Sequence, residues 1–238
     1  MWIVRLALRR AYTFVVAAFV LLLFAFSLFS TSAALAAEPG SVASAQAPRV
    51  VTILALGDSV TAGYGLPSEQ SFPSVLESLL RKGGHAVKVI NAGVSGDTTA
   101  EGRARLAGYF PSAAPSRPDI VIVALGANDG LQGKDPAQVE ENLDAMLTWI
   151  QAEGAKILLI GARAVRGKSP EYRDAFAAVF PRQAAKHHAT LYPLLGTGIF
   201  GKQEFIQPDG AHPNEKGAQI IAGNLYPLVV ELIAKTAQ

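Results

Sequence analysis

Asp209 and His212 stand three residues apart in the stretch Asp209-Gly210-Ala211-His212-Pro213-Asn214. Within one turn of chain a carboxylate can reach the nearer ring nitrogen of a histidine and leave the other nitrogen free. That holds the imidazole in one tautomer, ready to act as a base. A serine hydroxyl is a poor nucleophile at its own pKa and needs such a base. The chain offers Ser59, in Gly57-Asp58-Ser59, directly after the apolar run Val50–Leu56. Two further loops carry small and polar residues: Asn91–Thr98 with Gly96 in it, and Gly126-Ala127-Asn128-Asp129-Gly130. Each residue also has a plain structural use. Ser59 can cap a helix, Gly96 can supply a positive φ, Asn128 can be a turn residue, and His212 can be a surface histidine before a helix. Their order along the chain, each after the expected element, makes a shared site the better reading.

The elements that would position them follow from periodicity. Val50–Leu56, Val87–Ile90, Ile120–Leu125, Ile157–Ile160 and Thr190–Tyr192 are short apolar runs of the kind buried in a parallel sheet. Between them, apolar residues recur at helical spacing. One set is Phe72, Val75, Leu76, Leu79 and Leu80, ended by Gly83-Gly84; a second, after Pro136, is Val139, Leu143, Met146, Leu147 and Ile150. Tyr172–His187 is a helix with Phe176, Val179 and Phe180 inward and an interruption or restart near Pro181. A loop-rich stretch, Leu194–Pro213, precedes a final helix that Asn214 caps and Pro227 kinks. Asp97 or Thr98 caps the helix after the Gly96 loop. Strand and helix alternate about five times, with connections too long for hairpins. The fold class is therefore α/β: a three-layer α/β/α doubly wound parallel sheet of flavodoxin-like order. In such a sheet Ser59, Gly96 and Asn128 all follow carboxyl ends of strands and share one edge, where these sheets bind ligands. His85, His187 and His188 read as plain surface or loop residues.

The first 36 of 238 residues lie outside this pattern. Arg5, Arg9 and Arg10 precede an uncharged stretch from Ala11 to Ala37, and Ala34-Leu35-Ala36 gives a small-x-small cleavage site. This is a signal peptide in layout, although the apolar run is long enough to span a bilayer as an uncleaved anchor. Either way the remainder is exported: residues 37–49 as a linker and 50–238 as one domain. The chain has 21 Lys and Arg against 19 Asp and Glu; without the three leader arginines the balance is 18 against 19. The basic excess thus belongs to the leader and does not indicate a nucleic-acid surface. No cysteine is present, which excludes disulfides, a thiolate nucleophile and cysteine metal sites. No metal-ligand cluster, Walker loop or G-x-G-x-x-G after a strand is visible, so neither metal nor nucleotide cofactor is expected.

Gly57-Asp58-Ser59, Gly96, Gly126-x-Asn128-Asp129 and Asp209-x-x-His212 resemble the four blocks of the GDSL/SGNH hydrolases, across about residues 50–235. The stretches GDSVTAGYG, SGDTT, GANDGLQG and DGAHPN are similar to a periplasmic branch of arylesterases, lysophospholipases and acyl-CoA thioesterases. The first block here reads Gly-Asp-Ser-Val in place of Gly-Asp-Ser-Leu. G-x-S-x-G is not matched, so the strained nucleophile elbow of α/β-hydrolases is not indicated. The resemblance implies Ser59 as nucleophile, His212 as base and Asp209 as its orienting acid. It also implies an oxyanion hole from the Ser59 and Gly96 backbone N–H groups and the Asn128 side chain. Leu131, Gln132 and Gly133 resemble that branch's mobile loop at the acyl site. Tyr64, Leu66, Leu131, Ile199 and Phe200 either line an acyl groove or pack as core or loop residues. The implied substrates are small esters or lysophospholipids, and acyl thioesters by chemical competence. The expected state is a periplasmic monomer that meets membrane only through its leader or a lipid substrate. Two other readings stay open: an O-acetyl esterase acting on exported polysaccharide, and a non-catalytic acyl- or lipid-binding module.

Overall fold

Val51–Gly57 is buried along its whole length and forms β1. Seven consecutive residues without a solvent face suit only an interior strand covered by helices on both sides. It pairs in parallel with β2 (Val87–Gly93) and with β3 (Ile120–Ala124). β4 (Lys156–Ile160) and β5 (Thr190–Tyr192) extend the sheet, also in parallel, to the order β2-β1-β3-β4-β5. This is the flavodoxin-like doubly wound order expected from the sequence, with its switch point between β1 and β3. The computed structural model describes residues 49–111, 117–165 and 167–236. The leader and nearly all of the linker, residues 1–48, lie outside them.

Alternation along the strands divides the core between two faces. Leu54, Leu56, Val121, Val123 and Leu159 face α5 (Pro136–Ala152) and α6 (Pro170–Lys186), with α3 (Thr99–Leu106) on the same side. Ile53, Ile120, Ile122, Leu158 and Ile160 face α2 (Phe72–Lys82) and α7 (Glu215–Thr236). Burying one such Leu or Ile contributes about 1.5–3 kcal/mol, so the two clusters hold the strand ends in register.

Two short helices, α1 (Ser59–Ala62) and α4 (Ala127–Gln132), follow β1 and β3. Neither is long enough to show helical periodicity in sequence. α6 runs unbroken through Pro181, against the expected interruption. Proline costs a helix about 3 kcal/mol. Here Phe176, Val179, Phe180 and Ala184 are buried on both sides of it and keep the two halves in line. α7 likewise continues through Pro227. Thr98 forms a capping box with Glu101 at α3, and Asn214 accepts from Gly217 N (3.1 Å) at the start of α7. His187 is not a surface residue. It is buried between α5 and α6, with Nε2 2.6 Å from Asp144 Oδ1 and Nδ1 3.1 Å from Gln151 Oε1. The residue ends an exposed-looking helix in sequence, and only the packing of α6 on α5 covers it.

Candidate active site

Ser59 is the first residue of α1. Asp58 caps this helix, its Oδ1 accepting from Val60 N at 3.0 Å. α1 lies hard against the sheet: a Cβ on Gly93 would fall 2.1 Å from Ala62 N, so only glycine admits the helix there. Thr61, within α1, is wholly buried. Ser59 therefore projects from a short, fixed mount, and its N–H belongs to the first turn, where helix N–H groups lack intrahelical partners. Burial pushes the Asp58 carboxyl up to about 6, against the opposing pull of the Val60 N–H and of His212.

His212 Nε2 lies 2.9 Å from Ser59 Oγ. On the other side of the ring, Nδ1 lies 2.6 Å from Asp209 Oδ2. Asp209 Oδ1 accepts from His212 N (3.0 Å) and Ala211 N (2.9 Å). Those backbone donors, with the imidazole contact, bring the Asp209 carboxyl down to about 2. With the carboxylate ionised, Nδ1 carries the ring proton and Nε2 is left to accept from the serine hydroxyl.

The loops after β2 and β3 meet beside this chain of groups. Val94–Asp97 is a turn closed by Asp97 N donating to Val94 O at 3.2 Å. Gly96 takes its third position with φ +91°, a conformation that side-chain-bearing residues resist. Asn128 Nδ2 donates one hydrogen to Asp97 O at 2.8 Å, which leaves the other for a second acceptor. Asp129, buried next to it, accepts from Thr99 N (2.9 Å) and Thr99 Oγ1 (2.7 Å), and so pins α4 to the start of α3. All the residues singled out for chemistry are thus gathered at one edge of the sheet. Among the described residues no cluster of three or more His, Asp or Glu could hold a metal ion.

Residues 55–220 match the GDSL-like lipase/acylhydrolase family. The chain belongs to that family. It is 37% identical over 182 residues to Esterase TesA of Pseudomonas aeruginosa, covering 76% of this chain and 89% of that protein. To the thioesterase 1/protease 1/lysophospholipase L1 of Escherichia coli K12 it is 35% identical over 182 residues, 75% of this chain and 85% of that protein. A crystal structure of TesA superposes with a TM-score of 0.70 at 38% identity, over 76% of this chain and 99% of that one. This GDSL-family chain is therefore a hydrolase acting on ester bonds.

A largely apolar cavity of about 260 Å³ is lined by Asp58, Val60, Leu125, Ile160, Arg163, Leu195 and Phe200 among others; it reaches the two neighbours of Ser59 in the chain, but Ser59 and His212 do not line it. Of the apolar residues weighed for a groove, Phe200 lines this cavity, whereas Ile199 is fully buried core against α7. Leu66 lies half-buried near Ser59 and His212. Tyr64 lies beside the same two residues, its ring centroid 4.6 Å from that of His212. Leu131 and Gln132 end α4 in solvent, and Gly133 is its left-handed C-cap; none of the three lines the cavity.

Sequence reading missed two braces. Gln207 Nε2 donates to Tyr64 O (2.6 Å) and Pro213 O (2.9 Å), tying the His212 loop to the Ser59 loop across 143 residues. Arg105 bonds Asp97 and the Gly57 carbonyl. Neither sits in a motif, and a contact across so many residues leaves no local pattern to read.

Proposed function

We propose that this GDSL-family hydrolase is an exported serine esterase that cleaves carboxylic esters through an acyl-enzyme on Ser59. The continuous hydrogen-bond chain from Asp209 through His212 to Ser59 carries this reading. In the first step Ser59 Oγ attacks the ester carbonyl carbon while His212 Nε2 takes its proton. The imidazolium then gives that proton to the departing alkoxide as the C–O bond breaks, leaving an acyl ester on Ser59. Water repeats the sequence with His212 again as base, and the carboxylic acid leaves. Asp209 stays ionised throughout, fixing the tautomer and balancing the imidazolium. The proposed donors to the tetrahedral oxyanion are the Ser59 and Gly96 N–H groups and the free amide hydrogen of Asn128. Removing one such donor costs about 10²–10³ in kcat.

Aryl esters and lysophospholipids of short to medium acyl length are the proposed substrates, with acyl thioesters as a further class sharing the same electrophilic carbonyl. The apolar cavity that reaches Asp58 and Val60, the neighbours of Ser59 in the chain, supports this: its size is just below the usual range of ligand pockets, about 300–1,000 Å³. Leu131, Gln132 and Gly133 are proposed to border the substrate from the rim. The arginine-led apolar leader with its Ala34-Leu35-Ala36 site supports export, most simply to a periplasm.

The test is kcat/KM on p-nitrophenyl esters of increasing acyl length, a lysophospholipid and an acetylated oligosaccharide, for the protein and for Ser59→Ala. Loss of turnover in a folded Ser59→Ala protein, with a wild-type optimum at short to medium chains and lysophospholipid cleavage, is the expected result. Retained turnover in that variant would falsify the nucleophile. Acetate release from the sugar alone would replace the substrate class.

A further inference from the structure

Three loops supply the proposed oxyanion donors; one side chain bonds two of them directly, and the third, with Asn128, is bonded to the second through Asp97. Arg105, in the last turn of α3, points back toward the carboxyl edge of the sheet. Its Nε lies 2.6 Å from Asp97 Oδ2, and its Nη2 donates to Gly57 O at 2.9 Å. The remaining nitrogen, Nη1, lies 3.1 Å from Tyr109 Oη, and the guanidinium carbon is 5.8 Å from the centre of that ring. Every nitrogen of the planar fork is therefore engaged, and the plane itself is fixed.

The partners connect to the donors by short covalent and hydrogen-bonded paths. Gly57 ends β1 two residues before Ser59, and its carbonyl also accepts from Val94 N at 3.0 Å. Val94 opens the turn that presents Gly96, and Asp97 closes it. The Asp97 carbonyl is the acceptor that orients the Asn128 amide. We propose that Arg105 is a positioning residue that sets the oxyanion hole, holding the Ser59, Gly96 and Asn128 donors at fixed mutual separation. This rests on the reading above that those three groups meet the oxyanion. The Asp97 side chain is 9% exposed and that of Arg105 21%, so the pair is partly shielded from water and its geometry is not averaged by solvent exchange. Lysine cannot substitute: one ammonium on a flexible stem does not reach a carboxylate, a carbonyl and a phenol oxygen in one plane.

A role confined to stability would lower the melting temperature and leave kcat of the folded enzyme alone. Positioning of transition-state donors lowers kcat and leaves KM nearly unchanged. The experiment measures kcat, KM and thermal melting for wild type, Arg105→Lys, Asn128→Ala and the double variant on one p-nitrophenyl ester. Arg105→Lys should lose roughly 10–100-fold in kcat with KM moving less than about threefold. In the Asn128→Ala background the same change should cost markedly less, because part of the Arg105 effect runs through the Asn128 donor. Arg105→Ala with added guanidinium should recover part of the lost kcat. Should Arg105→Lys fail to fold, Asp97→Asn removes the charge pairing at nearly constant volume and is expected to lower kcat in the same sense. Overturning results are an Arg105→Lys kcat within twofold of wild type, a rise in KM alone, or full additivity with Asn128→Ala. If Asn128→Ala itself keeps wild-type kcat, the oxyanion reading fails instead, so the two failures are separable.

Discussion

The two halves of the site are mounted in opposite ways. The proposed base half, Asp209 and His212, sits on an irregular segment after β5, with Asp209 exposed and its partners all within three residues. The proposed oxyanion half, the loops that carry Gly96 and Asn128, is held from beneath by two buried carboxylates, Asp97 and Asp129, by the α3 capping box and by the Arg105 guanidinium. A base needs only one correct tautomer and a reachable hydroxyl, which a tight local turn supplies beside solvent. Donors to a developing charge contribute only if aimed before the charge appears, since reorienting them costs what they would stabilise. The second task needs buried, mutually braced groups, and the protein uses its charged interior residues there.

The sharpest way to break the comparison is at the local turn. Asp209→Asn keeps shape and the backbone acceptor but removes the charge that holds the His212 proton on Nδ1. A fall of about 10³–10⁴ in kcat is expected. A near-wild-type rate in esterase assays would mean that the base half is oriented by something other than this turn. The sign of the pH effect follows from the lowered carboxyl, which sits at about 2 in the fold. Its stabilising contact is present at and above the ordinary carboxylate range and is lost only as pH falls through about 2. Asp209 thus remains ionised through mildly acidic conditions and sets no limb of the activity profile there.

The Gln207 brace gives an intermediate effect. Gln207→Ala removes the amide that joins Tyr64 O to Pro213 O. Each lost bond is worth about 0.5–1.5 kcal/mol. The His212 loop should then wander relative to Ser59, lowering kcat about tenfold with melting reduced by a few degrees. Wild-type kcat with only the melting change would show that the local turn alone keeps His212 in reach, which would make the contrast between the halves stronger still.

The unequal mounting also decides what the sequence discloses. Asp209, His212 and the apolar runs that become the strands are legible because their physics is local: a three-residue spacing, a continuous buried stretch, a capping threonine. Arg105, Gln207, Tyr64 and Asp129 act on partners four to more than a hundred residues away, and no periodicity marks them. Pro181 misleads in the other direction, since its local cost is legible and the buried face that offsets it is tertiary. His187 misleads for the same reason. The apolar cavity shares the difficulty: it is lined from the ends of β1, β3 and β4 and from the Leu194–Phe200 stretch, which only the fold brings together.

The smallest expected effect on rate lies at the joint between the halves, Asp58. Its carboxyl is buried, caps the helix that carries Ser59, and is raised from 3.8 to about 6 by desolvation. A carboxyl raised in the fold binds its proton more tightly there than in the unfolded chain. Stability therefore falls as pH rises from about 4 through about 6 and stays lower above it. Asn is an equally good cap and carries no charge to desolvate. Asp58→Asn should consequently raise stability at neutral pH, on the order of 2 kcal/mol, and flatten the stability profile between those two pH values. Its effect on kcat should be a few-fold decrease, because a negative charge that favours the His212 imidazolium has been removed. Denaturant melts across pH 4–8 beside steady-state kinetics separate the two terms. A variant less stable than wild type at neutral pH would mean that the helix N-terminus and His212 together outweigh the burial of this charge, and that Asp58 belongs with the braced carboxylates Asp97 and Asp129.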